Sequence, residues 1–345
     1  MGTSEHNQDE SRDLYEHHRF DVDPGQSPVR IDKFLFEKIR NASRNKIQLA
    51  AKAGNILVND EAVKPSYKVR PNDSISIVLT YPPRDTEIHP EDIPIEVVYE
   101  DRDLLIVNKQ AGMVAHPGYN NYTGTLVHAL AHYLQKVSPL PNEEGLGFLV
   151  HRIDKDTSGL LVVAKNEEAQ SGLANQFFHH SIERKYQALV WGDLENDEGT
   201  IEGNIARDKK DRRVMSIYED EETGKEAITH YRVIKRFRYV TLTECRLETG
   251  RTHQIRAHFK YIKHPLFNDA AYGGDRILKG TTFTKYKQFV QNCFALMPRQ
   301  ALHAKSLGFV HPVTKKKMFF DSELPGDFKA LLEKWEHYTE HKPLD

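Results

Sequence analysis

HRIDKDTSGLLVVAK, residues 151–165, divides into a polar half and an apolar half with different duties. The apolar half, Leu160–Ala164, is the short Leu/Val run that a strand buried on both faces requires. The polar half holds His151, Arg152, Asp154, Lys155, Asp156 and Thr157 within seven residues, and Ser158-Gly159 is expected as a tight turn leading into the strand. An acid set beside bases on the rim of a rigid strand is well placed for chemistry. An Asp in a turn also commonly caps its own backbone, so this stretch alone leaves both readings standing.

The wider chain narrows the choice. Its 345 residues, 39% of them hydrophobic, suffice for two domains and a sizeable core. No apolar run approaches the ~18 residues of a membrane span, so a soluble protein with no membrane partner is expected. The opening MGTSEHNQDESRD lacks the apolar core of a signal peptide. The two cysteines, Cys245 and Cys293, lie far apart, which argues against a disulfide framework and for a cytoplasmic address. The net charge of -2 hides a segregation: residues 1–24 carry seven acids against two bases, whereas residues 30–70 carry ten Lys/Arg against four Asp/Glu. A local excess of that kind is an electrostatic footprint for a polyanion.

In chain order, residues 1–24 read as a disordered acidic tail in which His17-His18 is simply solvated. A small domain over 25–80 follows. Ile31, Phe34, Leu35 and Ile39 recur at helical spacing, Ser43 is a plausible N-cap for a second helix that Gly54 stops, NILVNDEAVKP suggests two short strands around Asn-Asp, and DSISIVL alternates as a strand. Residues 81–94 have the proline and acid content of a linker, a composition that continues to residue 103. A larger domain over 95–325 opens with the strand Leu104–Val107. His128 and His132, at i and i+4 on a helix, lack a third ligand and read as core or surface histidines, so no metal site is expected. Strands are expected at 185–191, 228–234 and 240–247, a helix at 167–180, a loop at the basic run RDKKDRR (207–213), and a peripheral helix at 286–296. Lys315–Lys317 mark a hairpin turn, and residues 326–345 form a C-terminal helix and tail.

HRIDKDTSGLLVVAK resembles the signature of the RluA/RluD-type pseudouridine synthases, and four more stretches are similar to blocks of that family in the family's order. They are NKQAGMVAHPG (108–118), ERKYQALVWG (183–192), LETGRTHQIRAH (247–258) and RQALHA (299–304). The segments RIDKFL, SRNKIQLAAKAGNILVN and KPSYKVRPND resemble the alpha-L, or S-four-type, RNA-binding domain. The resemblance implies an α+β protein: a small alpha-L RNA-binding domain, then a catalytic domain with a mixed, largely antiparallel sheet flanked by helices and loops.

The resemblance also assigns roles. Asp154 is the catalytic residue, Tyr186 stacks on the uracil and helps remove the C5 proton, and Arg256 pairs with Asp154, as a fork donor holding the carboxylate bidentately. Arg152 helps hold the flipped-out nucleotide, and Ile255 lines the uracil pocket, with His151, Arg251 and His253 as further substrate-binding candidates. In the small domain Arg30, Arg44, Lys46, Lys52 and Asn55 would lie at phosphates, contacts that position without specifying sequence, and Arg212 of the basic loop would join them. Substrate and product contain the same atoms, so no cofactor is needed. The implied partner is large-subunit ribosomal RNA, free or in a pre-ribosomal particle, met by a monomer. The competing readings are a non-catalytic RNA-binding or ribosome-assembly protein, a transfer RNA pseudouridine synthase, and a hydrolase using Asp154 with Asp156, although acids two residues apart in a turn rarely flank one substrate.

Overall fold

The computed structural model describes residues 15–39, 42–79, 88–118, 121–137, 149–220 and 222–340. The chain separates into two compact units, Met1–Glu87 and Ile88–Asp345. The first contains β1 (Tyr15–Asp21), β2 (Val29–Arg30), α1 (Ile31–Lys38), α2 (Arg44–Lys52), β3 (Ile56–Val58), β4 (Glu61–Ala62), β5 (Lys68–Val69) and β6 (Ser74–Leu79). Its sheet runs β1-β6-β3-β4 and is antiparallel, with β2 and β5 forming a separate ribbon. Ile31, Phe34 and Leu35, at i, i+3 and i+4 on α1, join Ile47 and Ala51 of α2 and Ile56, Ile75 and Ile77 of the sheet in one core. Ser43 caps α2, its Oγ accepting from the Lys46 N–H at 3.3 Å. Asn59 and Asp60, both at positive φ, turn β3 into β4, a conformation these two residue types tolerate.

The acidic tail expected over residues 1–24 is ordered from Tyr15, because β1 pairs along β6 from Tyr15↔Leu79 to Asp21↔Ser74. Composition concealed it: what holds a charged strand in place is backbone pairing along a sheet edge, to which charge is nearly indifferent. Val22, just beyond the strand, is buried in the core with Phe20 packed against it. Residues 1–14 and residues 81–87 of the expected linker lie outside the described residues.

The second unit contains β7 (Glu96–Glu100), β8 (Leu104–Lys109), α3 (Leu126–Val137), β9 (Ser158–Ala164), α4 (Glu167–Phe178), β10 (Glu183–Trp191), β11 (Glu198–Arg207), β12 (Met215–Tyr218), β13 (Lys225–Arg236), β14 (Val240–Leu247), α5 (Gln254–Tyr261), α6 (Thr284–Leu296), β15 (Leu302–Val310), β16 (Lys317–Asp321) and α7 (Gly326–Glu340). One sheet runs β12-β11-β13-β14-β10-β15-β9-β8-β7, with β16 added to β15. It is mixed: β15 and β9 are parallel, and the other pairings are antiparallel. Strand β7 falls in the stretch whose prolines and acids suggested linker. Its Val97 and Tyr99 pair with Val107 and Ile106 of β8, and register on a buried strand outweighs composition.

Two further expectations are corrected. Ser158 and Gly159 are not the turn; the chain turns at Lys155-Asp156 and is already strand at Ser158. Gly159 is needed for another reason: its φ is +120°, and a Cβ there would lie 2.2 Å from the Ala304 carbonyl oxygen on β15. Helix α6 is not peripheral. Its Tyr286, Val290, Cys293 and Phe294 are buried with Trp191, Phe267 and the α7 residues Phe328, Leu331 and Trp335, so α7 belongs to the core of this unit rather than being appended to it. Among the described residues no helix is long and apolar enough to cross a membrane.

Candidate active site

Three neighbouring strands bring the candidate residues together. Gly159 at the start of β9 is opposite Ala304 of β15, and Ala304 is opposite Tyr186 of β10, so the loop carrying Asp154 enters the sheet level with Tyr186. The loop is held from below by Lys109, which is 2% exposed and whose Nζ donates to the carbonyls of Gln110 (2.7 Å), Met113 (2.8 Å) and Lys155 (3.0 Å). Burial draws the pKa of this ammonium down to about 7, opposed by Asp156 and Asp154. The fourth contributor, α5, follows β14 through a loop fastened by Gln254. The Gln254 amide oxygen accepts from Thr249 Oγ1 and the Arg251 N–H, and its Nε2 donates to the Ile228 carbonyl and Thr229 Oγ1.

At the centre Arg256 Nη1 donates to Asp154 Oδ2 at 3.0 Å. The bidentate grip expected there belongs to a different acid. Arg256 Nε and Nη2 donate to Asp269 Oδ2 and Oδ1 at 2.7 and 2.9 Å, and Asp154 receives one bond only. Asp269 is 1% exposed, so the fork spends its paired geometry on a wholly buried partner and extends its remaining nitrogen to Asp154. Burial opposes the Arg256 charge, but the hydrogen bonds and charges of Asp269 and then Asp154 outweigh it and raise the guanidinium's pKa. Tyr272 completes the cluster: its ring lies 4.8 Å from the guanidinium and its hydroxyl is 3.0 Å from His253 Nδ1. Nothing in the residue pattern around FNDAAYGGD singled out Asp269 or Tyr272. Only the structure shows the need, since Arg256 is buried and the half-buried Asp154 alone leaves two of its nitrogens without an acceptor.

A hollow of about 420 Å³, an ordinary ligand-site size, is lined by Asp154, Tyr186, Arg256, Arg152, Ile255, His151, Arg251 and His253 together, with Arg184, Phe177 and Phe178. Tyr186, Ile255 and Leu247 are nearly fully buried and give it apolar walls. Burial raises the Tyr186 phenol's pKa. Arg152, exposed on the rim, donates to Thr252 Oγ1 at 3.1 Å. His253, in a left-handed backbone conformation, sets its Nε2 3.9 Å from Asp154 Oδ2, and burial lowers its pKa. His151 is occupied otherwise: its Nε2 accepts from the Val162 N–H at 3.0 Å, and burial and the nearby Arg184 pull its pKa down to about 3. It serves as a neutral acceptor fastening β9, with its ring stacked on Phe177.

In the first unit Arg30 and Arg44 converge on Asp32. Arg30 donates to it twice at 3.0 Å, Gln48 at 2.6 Å and Arg44 at 3.4 Å. The carboxylate is fully buried and held well below the usual range, first by Arg30, while the two arginine side chains stay about half exposed. Lys46 and Lys52 are exposed on α2, and Asn55 is half-buried just beyond it. Arg212 is exposed in the turn between β11 and β12, its carbonyl accepting from Arg207. His128 and His132 meet different acids, Glu91 and Asp92, and share no ligand position.

Comparison with known proteins gives these arrangements a common frame. The family model described as RNA pseudouridylate synthase matches residues 103–261, and the S4 domain model matches residues 29–75. A Chlorobaculum parvum protein named as an uncharacterized RNA pseudouridine synthase is 44% identical over 317 residues, 91% of this chain and 96% of that protein. Ribosomal large subunit pseudouridine synthase D of Escherichia coli (strain K12) is 37% identical over 324 residues, 93% of this chain and 95% of that protein. The solved structure of Human RNA Pseudouridylate Synthase Domain Containing 4 shares the fold with a TM-score of 0.54 at 19% identity, over 70% of this chain and 93% of that one. With relatives above 30% identity matched along nearly their whole length, and with the α+β architecture of a pseudouridylate synthase behind an S4 domain, the chain belongs to the RNA pseudouridine synthase family.

Proposed function

We propose that this protein isomerises specific uridines of large-subunit ribosomal RNA to pseudouridine, with Asp154 as the group that acts on the target nucleoside. The observation that carries the reading is the single bond from Arg256 Nη1 to Asp154 Oδ2, which fixes the carboxylate on the rim of an apolar-walled hollow. It leaves Oδ1 without a hydrogen-bond donor among the described residues. In the reaction the N1–C1′ bond breaks, the uracil turns, C5 bonds to C1′, the C5 proton leaves and N1 takes one up. Oδ1 is the free electron pair that can attack C1′ or remove the C2′ proton. Tyr186 and Ile255 would sandwich the base. With its pKa raised, the phenol stays protonated near neutral pH, so Tyr186 serves as a wall and hydrogen-bonding group, and the net acceptor of the C5 proton is the carboxylate. Arg152 on the rim would occupy the space the extruded nucleotide leaves, offsetting a flipping cost of a few kcal/mol. Ribosomal RNA, rather than transfer RNA, is favoured by relatives named for the large ribosomal subunit.

The test is direct. An unmodified large-subunit RNA transcript is incubated with the purified full chain, and pseudouridines are mapped by carbodiimide labelling and primer extension. Discrete labelled positions with the wild-type chain and none with Asp154→Asn are expected. Labelling by the Asp154→Asn protein would remove Asp154 from the chemistry.

A further inference from the structure

Arg184, two residues before Tyr186 on β10, is a buried cation of the hollow without an anion. It is 7% exposed, as is Arg256, but Arg256 has two carboxylates whereas Arg184 has none among the described residues, and its Nε lacks any acceptor. Burial lowers its pKa, as expected for an uncompensated charge. A guanidinium withdrawn from water with no counter-charge is costly to fold around, and buried unsatisfied groups in native proteins call for a specific reason.

The surroundings indicate what would supply the missing charge. Four arginines line the hollow (Arg152, Arg184, Arg251 and Arg256) against a single carboxylate, Asp154, and that carboxylate is already paired. The Arg184 guanidinium lies 5.4 Å from the centre of the Phe177 ring. A Cβ at position 250 would sit 2.7 Å from its Nη1, so Gly250 leaves that nitrogen uncovered. Phe178, next along α4 and lining the same hollow, is 77% exposed, which leaves its ring open to a stacking partner. A cation and an exposed aromatic face on the wall of one hollow are the two ingredients by which proteins hold single-stranded nucleic acid.

We infer that Arg184 and Phe178 form a subsite for the nucleotide adjacent to the target uridine, the guanidinium binding its phosphodiester and the ring stacking on its base. The inference rests on the hollow receiving the target nucleoside. It makes Arg184 a binding residue that reads the strand beside the target, so that a strand able to lay both nucleotides down together is preferred. The competing role for Arg184, steadying Tyr186 through charge, predicts different behaviour.

The test uses the full chain and single-stranded dodecauridylate, with affinity measured across a salt series. Arg184→Met is expected to weaken binding and make the slope of log K against log salt shallower by about 0.7, one phosphate on a single strand. Arg184→Lys should keep the slope, and Phe178→Ala should weaken binding about tenfold with the slope unchanged. The free Arg184→Met protein should melt no lower than wild type, since it has lost an unpaired buried charge. An unchanged slope for Arg184→Met, with either a lower melting temperature or a loss confined to kcat, overturns the subsite and leaves Arg184 as a structural or tyrosine-positioning residue. The ribosomal RNA assay is run in parallel. A wild-type chain that makes no pseudouridine defeats the proposed function, whereas an active wild type with an unchanged Arg184→Met slope defeats only the subsite.

Discussion

Asp154 and Asp269 share one guanidinium, and exchanging each for asparagine should have opposite consequences. Asp269 is 1% exposed and takes two of the three bonds that Arg256 makes to carboxylates, at 2.7 and 2.9 Å. An asparagine there keeps one acceptor oxygen and turns an NH2 group towards the guanidinium N–H groups, so two donors face each other. Arg256, itself 7% exposed, keeps one bond to a neutral amide oxygen and is left with Asp154 as its single charged partner among the described residues. Breaking a buried pair by removing one partner costs about 3–5 kcal/mol. At about 2–4 °C per kcal/mol for a unit of this size, the melting transition of the catalytic unit should fall by about 6–20 °C. Asp154→Asn removes the more exposed acid and leaves the fork on Asp269 intact, so its cost should stay below about 3 kcal/mol, the upper range for a hydrogen bond to a charged group, while pseudouridine formation disappears. Calorimetry of the two full-length variants, combined with carbodiimide mapping, reads both quantities. If Asp269→Asn melts within a degree or two of wild type, or Asp154→Asn proves the less stable of the pair, Arg256 is not anchored as argued.

Two further outcomes follow from burial elsewhere in the catalytic unit. Gly159→Ala places a Cβ 2.2 Å from the Ala304 carbonyl oxygen at a φ of +120°; it should cost at least about 3 kcal/mol and depress activity by shifting the Asp154 loop, and a fully active variant with unchanged melting would contradict the register of β9 on β15. His258, fully buried with Nδ1 on Thr229 Oγ1 and no partner at Nε2, has its pKa lowered by burial to about 4. Between pH 6.5 and 4 the unfolded chain therefore binds the extra proton and the native chain does not, so stability present above the unfolded pKa is lost as pH falls through this window, by about 3 kcal/mol. Urea unfolding of His258→Asn should show a shallower acid loss, and an identical pH profile would refute the assignment.

The parts of this molecule that could be read from sequence are those in which a local rule and the tertiary structure agree. Leu160–Ala164 is a strand with both faces buried, Ser43 caps its helix, Asn59-Asp60 turns, and the polar half of the opening stretch does meet Arg256. The failures share one cause, a non-local partner. Tyr15–Asp21 is acidic and polar, yet β6 supplies the backbone bonds that make it a strand. The helix expected at the periphery over 286–296 lies in α6, and Trp191 and Trp335, distant in sequence, bury it. Gly159 looked like a turn residue, and only the backbone of Ala304 explains it. The same holds in the site. The need for an acid beside Arg256 was legible, but that Asp269 and not Asp154 takes the fork depends on where the segment after α5 returns.

That distribution of acids also separates arginines that composition treats alike. A local excess of positive charge describes attraction for RNA without saying which cations are free to meet it. In the first unit Asp32 sits buried under Arg30 and Arg44, giving up net charge in order to fix two half-exposed forks in place; an ordered fork loses less side-chain entropy on meeting a phosphate than a free lysine does. In the hollow, Arg256 is saturated by two acids and can only orient Asp154, while Arg152 and Arg251 are each tied by one bond to a neutral oxygen, on Thr252 and Glu226 respectively. Arg184 alone of the four has no oxygen partner among the described residues. Graded this way, the arginines would divide the work of the proposed reaction: pinned cations in the S4 domain for docking, a saturated cation to hold Asp154, and an unsaturated one whose missing partner the substrate strand would supply.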